Sequence, residues 1–200
     1  KTAYEISLGL VGSEMCIRDR CGGDGYRVEA VFVEHSVPTL AYALIEEERP
    51  GRFNPERALK LGVPKGPLWK ALQMGEAVEV SGRLVRPEDV LGPPRKGLKL
   101  VYSGDTGFTE KLVEFSRGAD LLIHEATFDD SLEHKALEEK HSTARQAATV
   151  AKLAGVKKLA LTHISPRYQD PSMLEQQAKQ VFEHVVVAYD FLKLSLVYED

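Results

Sequence analysis

The sequence predicts an α/β fold whose sheet is largely parallel, and three observations predict it. Three apolar runs in the second half, at 98–102, 120–123 and 158–162, each lead into a polar residue able to bind metal or move a proton. Those residues are Asp105 in Gly104-Asp105-Thr106, the pair His124-Glu125, and His163. Helical patterns separate the runs, as in parallel strands joined by crossover helices. The third observation is composition: 200 residues that are 43% hydrophobic suffice for one substantial core, or a core plus a small appendage. In such sheets the chemistry gathers at the carboxyl ends of the strands, where these side chains converge.

The elements follow in chain order. Residues 1–20 show neither a helical nor a strand period, and they resemble translated sequencing-adapter read-through. They are read as a non-native segment and set aside, Cys16 with them; the native chain is taken as 21–200. Residues 26–34 alternate, with Val28, Ala30 and Phe32 on one face and Val31 and Val33 on the other. This is a buried strand ending at His35. A second strand at 42–46 follows a Val37-Pro38-Thr39 turn and completes a hairpin.

The character then changes, and 47–92 is read as a flexible arm inserted into the domain. Within 49–70 stand Pro50, Gly51, Pro55, Gly62, Pro64, Gly66 and Pro67. The same stretch carries Arg49, Arg52, Arg57, Lys60, Lys65 and Lys70 against the single acid Glu56, which is +5 and leaves −9 for the rest of a −4 chain. A short helix at 55–61 has Pro in its first turn and Gly62 as its stop. Trp69 lies at the far end of the stretch. Two readings stand: a solvated loop that is basic, or an arm that holds phosphates.

Short strands around Gly82 occupy 73–90, and 93–97 is a linker. A helix at 108–116 is capped by Thr106 or its neighbours and stopped at Gly118. Thr143 opens the next helix, with Gln146 three residues on as a capping box. Ala147, Ala148, Ala151 and Ala154 give it a small-residue face, and Gly155 ends it. A helix at 173–181 and a strand near 185–189 complete the layer.

The net charge of −4 argues against bulk polyanion binding while leaving room for a local basic patch. Cys16 and Cys21 form no CxxC or zinc-ribbon pattern, so a reducing, cytoplasmic compartment is expected. No apolar run approaches the ~18–20 residues that span a bilayer. The chain opens on Lys1 rather than methionine, so it is read as processed or a fragment.

Singly, each polar residue has a structural reading. Asp105 fits an Asx-turn or a helix cap, and His163 fits a hydrogen-bonded strand-end histidine. His124 and Glu125 are adjacent, so at most one faces a shared site unless the backbone turns. His141 precedes Ser142-Thr143 at a helix N-terminus, where the dipole opposes protonation unless a carboxylate compensates. His35 ends a strand, while His134 and His184 sit among polar residues without an assigned role. Jointly, one carboxylate and several imidazoles at strand ends match a borderline metal such as zinc. Asp105 is the one carboxylate placed to bridge two zincs ~3.5–4 Å apart.

VYSGDT at 101–106, LLIHEATF at 121–128, KHSTARQAA at 140–148 and LALTHISPRY at 159–168 resemble the C-terminal half of the ribonuclease Z (tRNase Z) family. That family belongs to the metallo-β-lactamase superfamily and cuts 3′ trailers from precursor tRNA. GRFNPERALKLGVPKGPLWKAL at 51–72 resembles its flexible arm. The resemblance implies an αββα sandwich, here incomplete with its N-terminal half missing, and a projecting basic arm. It implies His35, Asp105 and His163 as ligands of two zinc ions, with Asp105 bridging. It implies that His141 donates a proton to the leaving 3′ oxygen and that Glu125 orients it. Lys65, Gly66 and Pro67 would belong to the part of the arm that grips the tRNA.

The implied partners are precursor tRNA and a second copy of the chain, with no membrane and no DNA. The products are a 3′-hydroxyl on the tRNA and a 5′-phosphate on the trailer. Two departures stand out: Gly107-Phe108 follows GDT, and no His-x-His occurs in the chain. The family's His-x-His-x-Asp-His motif should supply the other ligands and the general base, so the chain itself is expected to be inactive. Two rivals remain, a related hydrolase of small esters or phosphodiesters and a non-catalytic tRNA-binding module.

Overall fold

Val28, Ala30 and Phe32 alternate with Val31 and Val33, and that two-residue period forms strand β2 (Tyr26–Val33). In the computed structural model, which describes residues 19–23 and 25–198, β2 pairs antiparallel with β1 (Asp19–Gly23) and β3 (Thr39–Glu46). The reading of 1–20 as non-native, Cys16 included, falls outside the described residues except at Asp19 and Arg20. Strand β3 begins at Thr39, directly after the turn, rather than at Tyr42.

The three apolar runs form β6 (Lys99–Tyr102), β7 (Leu121–Glu125) and β8 (Leu159–Thr162), and they are parallel as expected. Strand β9 (Val185–Val187) adds a fourth parallel member. Strand β6 joins β3 antiparallel, giving one mixed sheet in the order β1-β2-β3-β6-β7-β8-β9. The largely parallel sheet therefore holds only from β6 onward. The hairpin half differs because its short turn returns the chain antiparallel, whereas parallel neighbours need helical crossovers.

Those crossovers are α4 (Glu110–Ser116), α6 (Ala144–Ala154) and α7 (Ser172–Lys179). Thr109 caps α4 by accepting the Lys111 N–H, while the Thr106 hydroxyl is used elsewhere. The capping box of α6 is formed: Thr143 Oγ1 accepts the Gln146 N–H at 3.2 Å, and Gln146 Oε1 accepts the Thr143 N–H at 2.9 Å. Ala147, Ala148 and Ala151 are fully buried, which brings α6 close to the sheet. With α4 and α7 it closes a core over Val31, Ala43, Val101, Leu122 and Leu161. The opposite sheet face carries Leu44 and Tyr102, both exposed. The chain thus forms one α/β layer pair of the expected four-layer sandwich. A short helix that sequence reading passed over, α5 (Glu133–Glu139), precedes His141.

Residues 47–97 form a second compact unit. Helix α1 (Pro55–Lys60) is capped by Asn54, and α2 (Pro67–Gln73) begins on its own proline. A hairpin of β4 (Val78–Val80) and β5 (Arg83–Val85) flanks Gly82, and α3 (Pro87–Val90) follows. Ala58, Val63, Leu72, Val78, Val85 and Val90 make a core, against which Phe53 and Trp69 pack. Trp69 Nε1 donates to the Val63 carbonyl at 3.1 Å. The basic stretch is therefore built on a folded scaffold, with Lys60, Lys65, Gly66, Pro67 and Lys70 all exposed.

Candidate active site

Strand β7 sends His124 and Glu125 to opposite faces, and the two meet different fates. His124 is fully buried on the helix side, where Nδ1 donates to the Glu125 carbonyl at 2.7 Å and Nε2 has no hydrogen-bond partner. Burial pushes its imidazole below the ordinary range, so the neutral ring is favoured there. Glu125 is also fully buried, but it faces the strand-end loops.

Five donors converge on that carboxylate. Oε1 accepts the Thr106 N–H at 2.9 Å and His141 Nδ1–H at 2.7 Å. Oε2 accepts the Thr127 N–H at 3.1 Å, the Thr127 hydroxyl at 2.8 Å and the Ser142 N–H at 3.1 Å. A buried charge is tolerated only when hydrogen-bonded in this way. Three of the five donors are main-chain groups from three loops, so Glu125 also fastens those loops to one another.

The GDT loop is tied in further. The Glu34 N–H donates to Thr106 Oγ1 at 3.2 Å, the Gly107 N–H to the Glu34 carbonyl at 2.8 Å, and Ser142 Oγ to the Thr106 carbonyl at 2.7 Å. Gly104 has φ +63, and a Cβ there would stand 2.7 Å from the Leu40 carbonyl oxygen, so only glycine fits this approach. The residues flanking His35, Asp105 and His141 are thereby held in one frame.

The rings assemble around His141. Its centroid lies 4.8 Å from that of His35 and 5.4 Å from that of His163, which stacks on it. Asp105 Oδ1 is 3.7 Å from His163 Nδ1. Among the described residues the Asp105 carboxylate accepts no hydrogen bond, so neither an Asx-turn nor a cap accounts for it. The five residues predicted near the chemistry are together. Lys65, Gly66 and Pro67 lie in the other unit.

Glu125, His141 and His163 offer ligand atoms within 4.8 Å of one another, a spacing a metal ion can use. The hydrogen bonds argue against Glu125 in that role, because both of its oxygens are occupied. His35 and Asp105 are better donors. His35 Nδ1 donates to the Lys140 carbonyl at 3.0 Å, which puts the ring's lone pair on Nε2, where the Ser36 hydroxyl approaches to 3.5 Å. Asp105 and His163 are half-exposed, at 36% and 48% of their side-chain surface, so their ligand atoms are open. Burial, and then the charges of Asp105 and Glu125, raise the nearby Tyr102 phenol. The donor set, imidazole nitrogen plus carboxylate, suits a borderline metal.

Sequence reasoning missed two features. Thr127 contacts Glu125 and the imidazoles of His141 and His163. Tyr168 Oη donates to Asp129 Oδ2 at 2.5 Å and accepts the Asp129 N–H at 2.9 Å, joining the loops after β7 and β8. Burial, and then this bond, raise the Tyr168 phenol. Burial acts upward on Asp129, but hydrogen bonds from Ser131 and Tyr168 outweigh it and hold the carboxyl below its ordinary value. The only sequence signal for either was their position beside a strand-end histidine or glutamate.

Residues 76–164 match the profile of the β-lactamase superfamily domain. A ribonuclease Z of Methanosarcina acetivorans is 50% identical over 196 residues, which are 98% of this chain and 64% of that protein. A ribonuclease Z of Archaeoglobus fulgidus is 48% identical over 179 residues, 88% of this chain and 58% of that protein. The crystal structure of human tRNase Z, short form, superposes with a TM-score of 0.54 at 27% identity, covering 88% of this chain and 46% of that one. The chain thus spans roughly half to two-thirds of the length of the relatives it matches. With its strand-end histidines, its GDT loop and its HEAT and HST motifs in one frame, it has the metallo-β-lactamase fold and is similar to part of the ribonuclease Z proteins.

Proposed function

We propose that the chain is part of a zinc-dependent endoribonuclease that removes the 3′ trailer from precursor tRNA, leaving a 3′-hydroxyl on the tRNA and a 5′-phosphate on the trailer. The observation that carries this reading is the 2.7 Å bond from His141 Nδ1 to a fully buried Glu125, flanked by the rings of His35 and His163. His35, Asp105 and His163 would hold two zinc ions together with ligands from outside this chain. When bound, zinc activates water as a nucleophile near neutral pH.

The chain's own residues do the rest. Glu125 fixes the Nδ1–H of His141, so the reacting nitrogen is Nε2. In the cationic ring that atom carries the proton passed to the leaving 3′ oxygen. Only 15% of the His141 side chain is exposed, which limits competing water. In the unit at 47–97, Lys65, Gly66 and Pro67 contribute an exposed surface beside other lysines for the tRNA backbone, read by shape and phosphate. Assembly as a homodimer in the cytoplasm, each arm serving the other copy, completes the proposal.

By itself the chain supplies three of these ligands, so it should hold zinc weakly and cleave nothing. The test uses a protein of full family length containing this chain, with a precursor tRNA whose 3′ trailer is end-labelled. His141→Ala should cut single-turnover cleavage by about 10²–10⁴-fold while leaving precursor binding intact. Hydrolysis of a small phosphodiester without any trailer removal would defeat the assignment in favour of a small-substrate hydrolase. Undiminished tRNA binding in chelator, with no cleavage under any metal, would point to a binding module.

A further inference from the structure

We infer that Thr127 is a positioning residue that sets the tautomer of His163. Its hydroxyl carries one proton and has four neighbours. Glu125 Oε2 lies at 2.8 Å, the His163 carbonyl at 3.1 Å, His163 Nδ1 at 2.9 Å and His141 Nδ1 at 3.3 Å. The two oxygens only accept, so the hydroxyl proton goes to one of them, and the charged carboxylate is both nearer and stronger. Thr127 Oγ1 must then accept from His163. A donation to that ring nitrogen instead would turn its lone pairs onto two oxygens at once.

His163 therefore carries its proton on Nδ1 in the neutral ring, and its lone pair sits on Nε2. The backbone supports the arrangement. His163 adopts φ +51, a left-handed conformation uncommon outside glycine, and this brings both its carbonyl and its Nδ1 to the same hydroxyl. Thr127 is itself buried at 9% exposure, which limits competition from water on its side of the bonds. One carboxylate thus controls two imidazoles: His141 directly through Oε1, and His163 through the threonine on Oε2. The sequence T-x-E read backwards from Thr127 to Glu125 places carboxylate and hydroxyl two residues apart at the strand's end, where the chain turns back onto the same site.

The tautomer follows from hydrogen-bond geometry alone. Its consequence, that Nε2 is offered to a metal, rests on the function proposed above. The experiment separates the two. Long-range ¹⁵N–¹H correlation spectra of the metal-free 200-residue chain distinguish a protonated ring nitrogen from one bearing a lone pair. Wild type should show His163 protonated at Nδ1. Thr127→Ser should keep that pattern, and Thr127→Val should lose it.

Wild-type protonation at Nε2, or an unchanged pattern in Thr127→Val, would overturn the inference, and the wild-type spectrum decides even if the valine variant does not fold. In a protein of full family length, zinc affinity should fall about 10–100-fold in Thr127→Val and hold in Thr127→Ser. A wild type of that length that binds no zinc refutes the metal reading and leaves the tautomer result standing. Equal zinc affinity in all three refutes the positioning role.

Discussion

Around Glu125 a buried carboxylate is held by polar donors, whereas residues 47–97 close an apolar core and keep Lys60, Lys65 and Lys70 outside it. The first arrangement needs geometry, because a carboxylate at 1% exposure is tolerable only while all its donors are aimed at it. The second needs only packing of a small core, and its lysines can change without touching that core. Function and stability are thus inseparable in one region and separable in the other. Substitutions can expose the difference directly.

Glu125→Gln should move stability and cleavage together. The amide nitrogen that replaces one oxygen cannot accept, so at least two of the five donors lose their partner and face another donor. Stability of the chain should fall by roughly 2–4 kcal/mol in chemical denaturation. In a protein of full family length, trailer cleavage should fall at least about 100-fold. A variant that unfolds at the wild-type midpoint would remove the distinction between the two regions.

Leu72→Ala makes the complementary cut. Leu72 is fully buried in the smaller unit, and its truncation should cost that unit about 2–5 kcal/mol. Histidine ring signals around Glu125 should not move. Smaller again is the combined change of Lys60, Lys65 and Lys70 to alanine. All three are exposed, so stability should stay within about 0.5 kcal/mol of wild type. The salt dependence of precursor tRNA binding should flatten, by at most about 0.7–0.9 in log–log slope for each phosphate that a lysine no longer neutralises. An unchanged slope would leave the arm as a folded unit with no part in binding.

Much of the fold was legible because it rests on side-chain pattern. The apolar runs at β6, β7 and β8, the Thr143–Gln146 box and the alanine face of α6 are written in residue types. What escaped is carried by the main chain or by weak pattern. The N–H groups of Thr106, Thr127 and Ser142 that hold Glu125 have no signature, since every non-proline residue owns one. Helix α5 buries only Ala136 and ends on Lys140 in a left-handed conformation, so neither amphipathicity nor a glycine stop announced it. The sharing of Thr127 between two loops depends on a turn at His163 that no periodicity encodes.

His124 gives the smallest effect and shows the same contrast within one strand. It is fully buried on the face opposite Glu125, and burial depresses its imidazole below the ordinary value of 6.5. Well above pH 6.5 neither the folded nor the unfolded chain protonates this ring, and its contribution to stability is complete. As pH falls from there toward the depressed folded value, only the unfolded chain takes up the proton, so stability declines. One proton limits the slope to about 1.4 kcal/mol per pH unit, and the decline levels off once the folded ring also protonates. His124→Leu keeps the volume and removes the titration. Denaturation midpoints measured from pH 7.5 down to about 5 should therefore drop less steeply in His124→Leu than in wild type. Parallel profiles would mean that protons reach His124 in the folded chain as easily as in the unfolded one, and that the helix-side face is less closed than its packing implies.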